Sequence, residues 1–228
     1  MEKTELSKRY EKVLENIKSL DKDGKVTLLL ATKMQTADDI NHLIRQGVKV
    51  IGENRVNELC EKYDSYDKSA EIHLIGTLQK NKVKYIIDKV ELIHSLDSVS
   101  LVEEINKRAE KIGKVQRVLI EVNSGREESK GGIMPEDVYD FYKKCLEFKN
   151  IKVDGLMTMA PRSDKKEDYM KYFLSTKEIF DKIFKDDKNA ILSMGMSESY
   201  MYAIEAGATM VRVGSAIFGE RIYNNGIV

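Results

Sequence analysis

The chain has 228 residues, with 38 basic and 38 acidic side chains and an isoelectric point near 6.9. It therefore presents no overall field to draw a polyanion or an anionic membrane surface, and neither nucleic acid nor membrane is an expected partner. Cys60 and Cys145 stand far apart without C-x-x-C spacing, which argues against a disulfide framework or a structural zinc site and suits a reducing compartment.

The opening stretch MEKTELSKRYEKVLENIKSL sets Leu6, Tyr10, Val13, Leu14, Ile17 and Leu20 at helical spacing. It reads as an amphipathic helix, and its charges replace the apolar centre of a signal peptide. No later stretch reaches the length of a membrane span, so the expected location is cytoplasmic. From there, short apolar, β-branched runs alternate with longer charged segments of helical period. Strands are expected at 26–31, 48–51, 72–75, 92–94, 118–122, 153–157, 190–192 and 210–213, and helices at 37–46, 54–63, 81–88, 99–112, 136–146, 168–184 and 199–206. Gly47, Gly113 and Gly207 fall where left-handed C-terminal caps belong, and Pro135 falls at a first helical turn. With no composition break or low-complexity segment over 1–228, this cadence predicts a single-domain α/β fold, a (β/α)8 TIM barrel with an extra N-terminal helix. The alternative is an open doubly wound sheet, which needs fewer strands and usually a Gly-rich first crossover that is absent here.

In such a barrel the chemistry sits at the C-terminal ends of the strands and in the loops that follow. Those positions hold Lys33 after the first strand, then Gly52, Glu53 and Asn54, Gly76 and Thr77, and Ser95. They continue with Asn123, Ser129 and Lys130, Met157 and Thr158, the run from Ser193 to Ser197, and Gly214 with Ser215. The loops after strands seven and eight commonly bind phosphate, because backbone N–H groups and glycine's close approach favour an anion there. LSMGMS and VRVGSAIFG supply both loops. Either alone also fits plain turns and serine caps; the two together favour phosphate. Lys33 follows VTLLLAT at the barrel mouth. Most lysines are solvated surface residues, but an amine drawn out of water favours its neutral form, which attacks carbonyls. An amine facing a phosphate site points to an aldehyde-bearing phosphate cofactor, pyridoxal 5′-phosphate.

The segments LLLATK, IGENRVNE, IHLIGTLQKNKVKYI, IHSLDS, VLIEVNSGREESKGGI, VDGLMTMAP and LSMGMS, followed by AIEAGATMVRVGSAIFGER, span nearly the whole chain. Through them the sequence resembles the pyridoxal phosphate homeostasis proteins, the YggS/PROSC group. Their barrel looks like the N-terminal domain of alanine racemases and eukaryotic-type ornithine decarboxylases. The resemblance implies that Lys33 forms a Schiff base with the cofactor, that Ser197, Gly214 and Ser215 hold its phosphate, that Arg212 faces the pyridine nitrogen, and that Asn54 and Met157 line the ring. A permanently cationic donor at that nitrogen disfavours ring protonation and weakens the ring as an electron sink. The family often carries an acidic residue where this chain has Ser199 and serine where it has Thr32; neither change removes a phosphate donor.

Other candidates have simpler explanations. His42, His73 and His94 show no metal-ligand spacing, and His73 and His94 read as structural residues of strands. Lys80, Lys82 and Lys84 solvate a helix. Lys130, in a mouth loop, could reach a second aldehyde or a substrate carboxylate. Met157, Met159, Met194 and Met196 would suit a planar ring or fill core equally well.

Two functions from different classes fit. One is a carrier that holds pyridoxal phosphate reversibly and buffers or delivers it to apo enzymes that depend on it, working as a monomer. The other is an amino-acid racemase, which needs a second acid/base group opposite the lysine. In alanine racemases that group is a tyrosine brought by an additional β-domain and the partner subunit. Only a short stretch separates the eighth unit from Val228, so that domain is not expected, and no tyrosine falls at a strand end. The carrier is the favoured expectation.

Overall fold

The computed structural model describes residues 2–127 and 129–219. Eight parallel strands close in chain order into a barrel: β1 (Thr27–Ala31), β2 (Val50–Glu53), β3 (Glu71–Leu74), β4 (Leu92–Leu96), β5 (Gln116–Val122), β6 (Ile151–Thr158), β7 (Ile191–Ser193) and β8 (Met210–Val213). The helices are α1 (Lys3–Leu20), α2 (Ala37–Arg45), α3 (Val56–Lys62), α4 (Val99–Lys111), α5 (Val138–Cys145), α6 (Lys166–Phe184), α7 (Tyr200–Glu205) and α8 (Ser215–Phe218). The closed parallel barrel with intervening helices agrees with the expected fold and excludes the open sheet.

Alternation along each strand divides the buried residues into two sets. One face of the strands, including Leu30, Ile51, Leu74, Ile93, Ile120, Leu156, Leu192 and Val211, joins the helices in a single apolar layer around the barrel. The other face points inward. There Leu29, Val50, Ile75 and Met210 form one small apolar cluster, and Leu92, Leu119 and Met157 form another. Residues two apart from these along the chain, His73, His94, Glu121 and Arg212, are also buried, as is Ser193 at the end of β7. The interior is thus apolar in part and polar in part.

Helix α1 buries Leu6, Tyr10, Val13 and Ile17 at the expected spacing, while Leu14 stays on its outer side. It packs on α2, α7 and α8, over the seam where β1 pairs with β8 in register from Thr27↔Met210 to Leu30↔Val213. Asn16 Nδ2 donates to the Tyr200 hydroxyl at 2.8 Å, and Lys3 Nζ lies 2.7 Å from Asp38 and 2.6 Å from Asp39.

One expected helix takes another form. The segment at 81–88 folds as a 3-10 turn over Lys80–Tyr85 that buries only Val83. Ile86, Ile87 and Val90 are buried just beyond it. The N–H groups of Ile86 and Ile87 donate to the Val83 carbonyl and those of Lys89 and Val90 to the Ile86 carbonyl, so successive turns rather than one continuous α-helix seat these apolar anchors. The helix expected at 54–63 begins at Val56, which leaves Asn54 and Arg55 in the loop above β2.

Candidate functional site

The strand ends and following loops surround a cleft of about 540 Å³ at the C-terminal mouth, within the size range of small-molecule sites. Lys33, Asn54, Ser197, Arg212, Gly214 and Ser215 all line it. Met157 does not. It is fully buried one layer deeper, packed with Leu92 and Leu119. Two residues further along the same inward face, Met159 reaches the cleft and is partly exposed. The expectation for Met157 is therefore corrected by one step of the strand repeat.

Lys33 emerges half-buried from the end of β1. Just before it, Thr32 is locked to β2, its N–H and hydroxyl both donating to the Gly52 carbonyl at 3.0 Å. Just after it, Met34 adopts φ 62, a left-handed conformation uncommon for a side chain of its kind. The Met34 N–H donates to Glu58 Oε2 on α3 at 2.8 Å, so a carboxylate pins the backbone that carries the lysine. A second anchor lies behind Asn54. Glu53, fully buried outside the barrel wall, pairs with Lys62 Nζ at 2.6 Å and accepts the Tyr66 hydroxyl hydrogen.

Across the cleft, the loops after β7 and β8 are joined by one side chain. Ser197 Oγ accepts the N–H groups of Gly214 at 3.1 Å and Ala216 at 3.2 Å. Both glycines in these loops are required by geometry. Gly195 sits at φ +82, where a Cβ would also lie 2.6 Å from the Ala203 Cβ, and a Cβ on Gly214 would lie 2.9 Å from the Ala31 carbonyl oxygen. Ser197 and Ser215 thus meet at one corner of the cleft, and Ser197 Oγ, held by two backbone N–H groups, keeps its own hydrogen to donate to an oxyanion.

Arg212 forms the floor. Its guanidinium is buried, with Nη1 donating to the Ser193 carbonyl at 2.9 Å and to Ser193 Oγ at 2.7 Å, and Nη2 donating to the Thr158 carbonyl at 2.9 Å. Its Nε–H and second Nη2–H make no hydrogen bond among the described residues. Burial lowers its pKa to about 10, opposed by the charge of Glu121, so it remains a cation at neutral pH. Glu121, inward on β5, is pushed up to about 7 by burial and then by the nearby Asp97 charge, with Arg212 acting the other way.

Sequence reasoning did not find several residues of this site. Tyr169 on α6 lines the cleft with its hydroxyl accepting the Ser163 N–H at 3.2 Å, and Arg162 pairs with Glu198 at 3.0 Å across the rim. Neither lies at a strand end; the length of the β6–α6 loop was the available signal. Lys130 pairs with Glu127 at 2.8 Å and is not among the residues that line the cleft. Among the described residues no cluster of three His, Cys, Asp or Glu could hold a metal, and no helix is long and apolar enough to cross a membrane.

Known proteins resemble this chain over most of its length. The family model for the alanine racemase N-terminal domain matches residues 10–222. The pyridoxal phosphate homeostasis protein of Aquifex aeolicus is 46% identical over 223 residues, covering 94% of this chain and 98% of its own length. An unknown protein from Bifidobacterium adolescentis has a crystal structure 32% identical in sequence, with a TM-score of 0.89 over 95% of each chain. PipY of Synechococcus elongatus, in its structure with PLP bound, is 27% identical with a TM-score of 0.76, over 90% of this chain and 99% of its own. By this similarity over almost its whole length, the chain belongs to the pyridoxal phosphate homeostasis proteins and carries the barrel of the alanine racemase N-terminal domain.

Proposed function

We propose that the chain binds pyridoxal 5′-phosphate in this cleft, holds it reversibly through Lys33, and buffers or delivers it to apo enzymes that require it. The observation that carries the reading is the convergence of a lysine, a two-loop donor corner and a buried arginine on one cleft. The bound cofactor supplies an aldehyde, with which a primary amine condenses. The rest is the work of the chain. Lys33 presents the amine; Ser197 and Ser215 receive the phosphate, with the N–H groups of Gly214 and Ala216 holding Ser197 Oγ in place or exchanging it for the anion; Arg212 offers one of its two remaining N–H groups to the pyridine nitrogen; Asn54, with Met159 in place of Met157, flanks the ring. The oxyanion corner and the unspent guanidinium N–H groups fit the cofactor's two polar ends.

Holding without substantial turnover follows from the same residues. A guanidinium donates and does not accept, so the ring nitrogen is left unprotonated and carbanion chemistry is weakly supported. The racemase alternative needs an acid on the face opposite Lys33. We place the protein in a reducing cytoplasm and expect it to work as a monomer.

Borohydride added to the protein with pyridoxal phosphate should fix the label on Lys33, and Lys33→Ala should lose it while retaining some affinity. A label mapped to Lys130 or another amine would overturn the assignment. Incubation with single-enantiomer amino acids in deuterated water should give no rapid α-exchange with inversion; such exchange would establish the racemase instead. Transfer of the cofactor to an apo enzyme tests delivery.

A further inference from the structure

Two buried histidines that served no purpose in the sequence reading lie in a continuous hydrogen-bonded line through the barrel. Arg212 Nη1 meets Ser193 Oγ at 2.7 Å, and Ser193 Oγ lies 3.3 Å from His94 Nδ1. His94 Nε2 lies 3.0 Å from His73 Nδ1, and His73 Nε2 lies 3.3 Å from Glu71 Oε2. Glu71 begins β3 at the opposite mouth and is solvent-accessible. Arg117 Nη1 from β5 stands 3.8 Å from its carboxylate and pairs in turn with Asp154 on β6, which also binds Lys152.

Donor counting gives this line one order only. A neutral imidazole has one donor nitrogen and one acceptor, and a carboxylate only accepts. Glu71 is a carboxylate, held below its usual range by the His73 hydrogen bond, and burial keeps both imidazoles neutral by lowering their pKa values, that of His94 well below normal. His73 must then donate from Nε2 to Glu71, which leaves Nδ1 bare. His94 must donate from Nε2 into that bare nitrogen, which leaves its own Nδ1 bare. The Ser193 hydroxyl must therefore donate to His94, with its lone pairs turned to Arg212. Reversing any single link sets two acceptors or two donors face to face.

We propose that Ser193, His94 and His73 form a one-directional hydrogen-bond relay, anchored on Glu71 at the far mouth, that positions the Arg212 guanidinium in the cleft floor. Every hydrogen in the relay points away from the cleft. The serine hydroxyl is thereby fixed as an acceptor for the guanidinium, whose unspent N–H groups are left for a ligand. Ser193, His94 and His73 are positioning residues and need not touch that ligand. The tautomers belong to the chain alone, whereas their consequence for a bound ring rests on the proposed cofactor reading.

The test begins on the cofactor-free chain, with its histidines labelled with ¹⁵N and assigned through His42→Gln. Long-range proton–nitrogen correlation at neutral pH should show His73 and His94 both in the Nε2–H form. An Nδ1–H form or an imidazolium at either ring overturns the relay and leaves the binding reading untouched. Failure of the wild-type chain to bind pyridoxal phosphate, with these tautomers intact, overturns the binding reading instead. In the loaded protein, Ser193→Ala should shift the absorption band of the bound cofactor and weaken retention about tenfold, the worth of one hydrogen bond to a charged group, and Ser193→Thr should restore both. His94→Gln reads the same band if Ser193→Ala does not fold. An unchanged band in the folded variant overturns the positioning role.

Discussion

The layer outside the barrel wall and the lining inside it are made from the same strands, yet they differ in kind. Outside, strand residues and helices merge into one apolar cluster that runs from Leu6 to Ile217. Inside, two small apolar clusters sit among a buried arginine, two histidines, a carboxyl and a serine hydroxyl. Burial of apolar surface scales with area, so the outer layer carries most of the stability. The lining spends part of its burial on polar groups that must find partners. Stability and chemistry are thus divided between the two faces of each strand, and substitutions on the two faces should fail in different ways.

The largest effect is expected outside. Phe173→Ala, at a side chain only 1% exposed on α6, should lower unfolding free energy by about 3–5 kcal/mol in a denaturant melt, with the cofactor affinity of the folded fraction unchanged. A smaller loss would mean that the outer layer can collapse around the cavity.

Inside, the second effect has the opposite sign. The Glu121 carboxyl, raised from 4.5 to about 7, holds its proton in the folded chain after the unfolded chain has released it. Stability therefore falls as pH rises from about 4.5 through 7 and is level above. Glu121→Gln removes that penalty, so it should stabilise the protein by about 3 kcal/mol at pH 8 and hardly at all at pH 4. Melts of both proteins across that range check it, and a gain independent of pH would refute the ionisation argument.

Third, Ser197→Ala with Ser215→Ala removes hydroxyl donors from the oxyanion corner, each worth about 1.5–3 kcal/mol toward a dianion. Retention of pyridoxal phosphate should drop at least tenfold, as read by equilibrium dialysis. Unchanged retention would assign the anion to the backbone amides alone. The smallest effect lies on the outer surface, where the Thr36 side chain caps α2 by accepting the Asp39 N–H at 3.2 Å. Thr36→Ala should cost about 1 kcal/mol and leave retention unaltered.

The same division explains what could be read in advance. Outer faces and helices announce themselves by apolar recurrence, so the eight strands, the helix over Lys3–Leu20 and the barrel closure were legible, as were six of the residues that line the cleft. A parallel barrel buries both faces of its strands, so apolar pattern alone does not say which face is inside. This is why His73 and His94 looked like incidental strand residues, whereas Met157 was assigned to the mouth because the strand was expected to end at 157 and β6 runs on to Thr158. The partners of the two histidines, Glu71 and Ser193, come from different strands, and no local spacing joins them. Tyr169 enters from a helix flank, which a rule based on strand ends overlooks.

The seating of α1 across the β1–β8 seam bears on how the chain folds. Asn16 and Tyr200, hydrogen-bonded partners, are separated by 184 positions, and the barrel closes only when strands from the two ends of the sequence pair. Contacts this distant along the chain carry a large loop-closure cost and slow the final step of folding. During synthesis the early βα units emerge with an unpaired edge at β1 and with the apolar stripe of α1 lacking α7 and α8, until the last unit arrives. Interrupted synthesis should therefore yield an aggregation-prone intermediate rather than a smaller stable barrel.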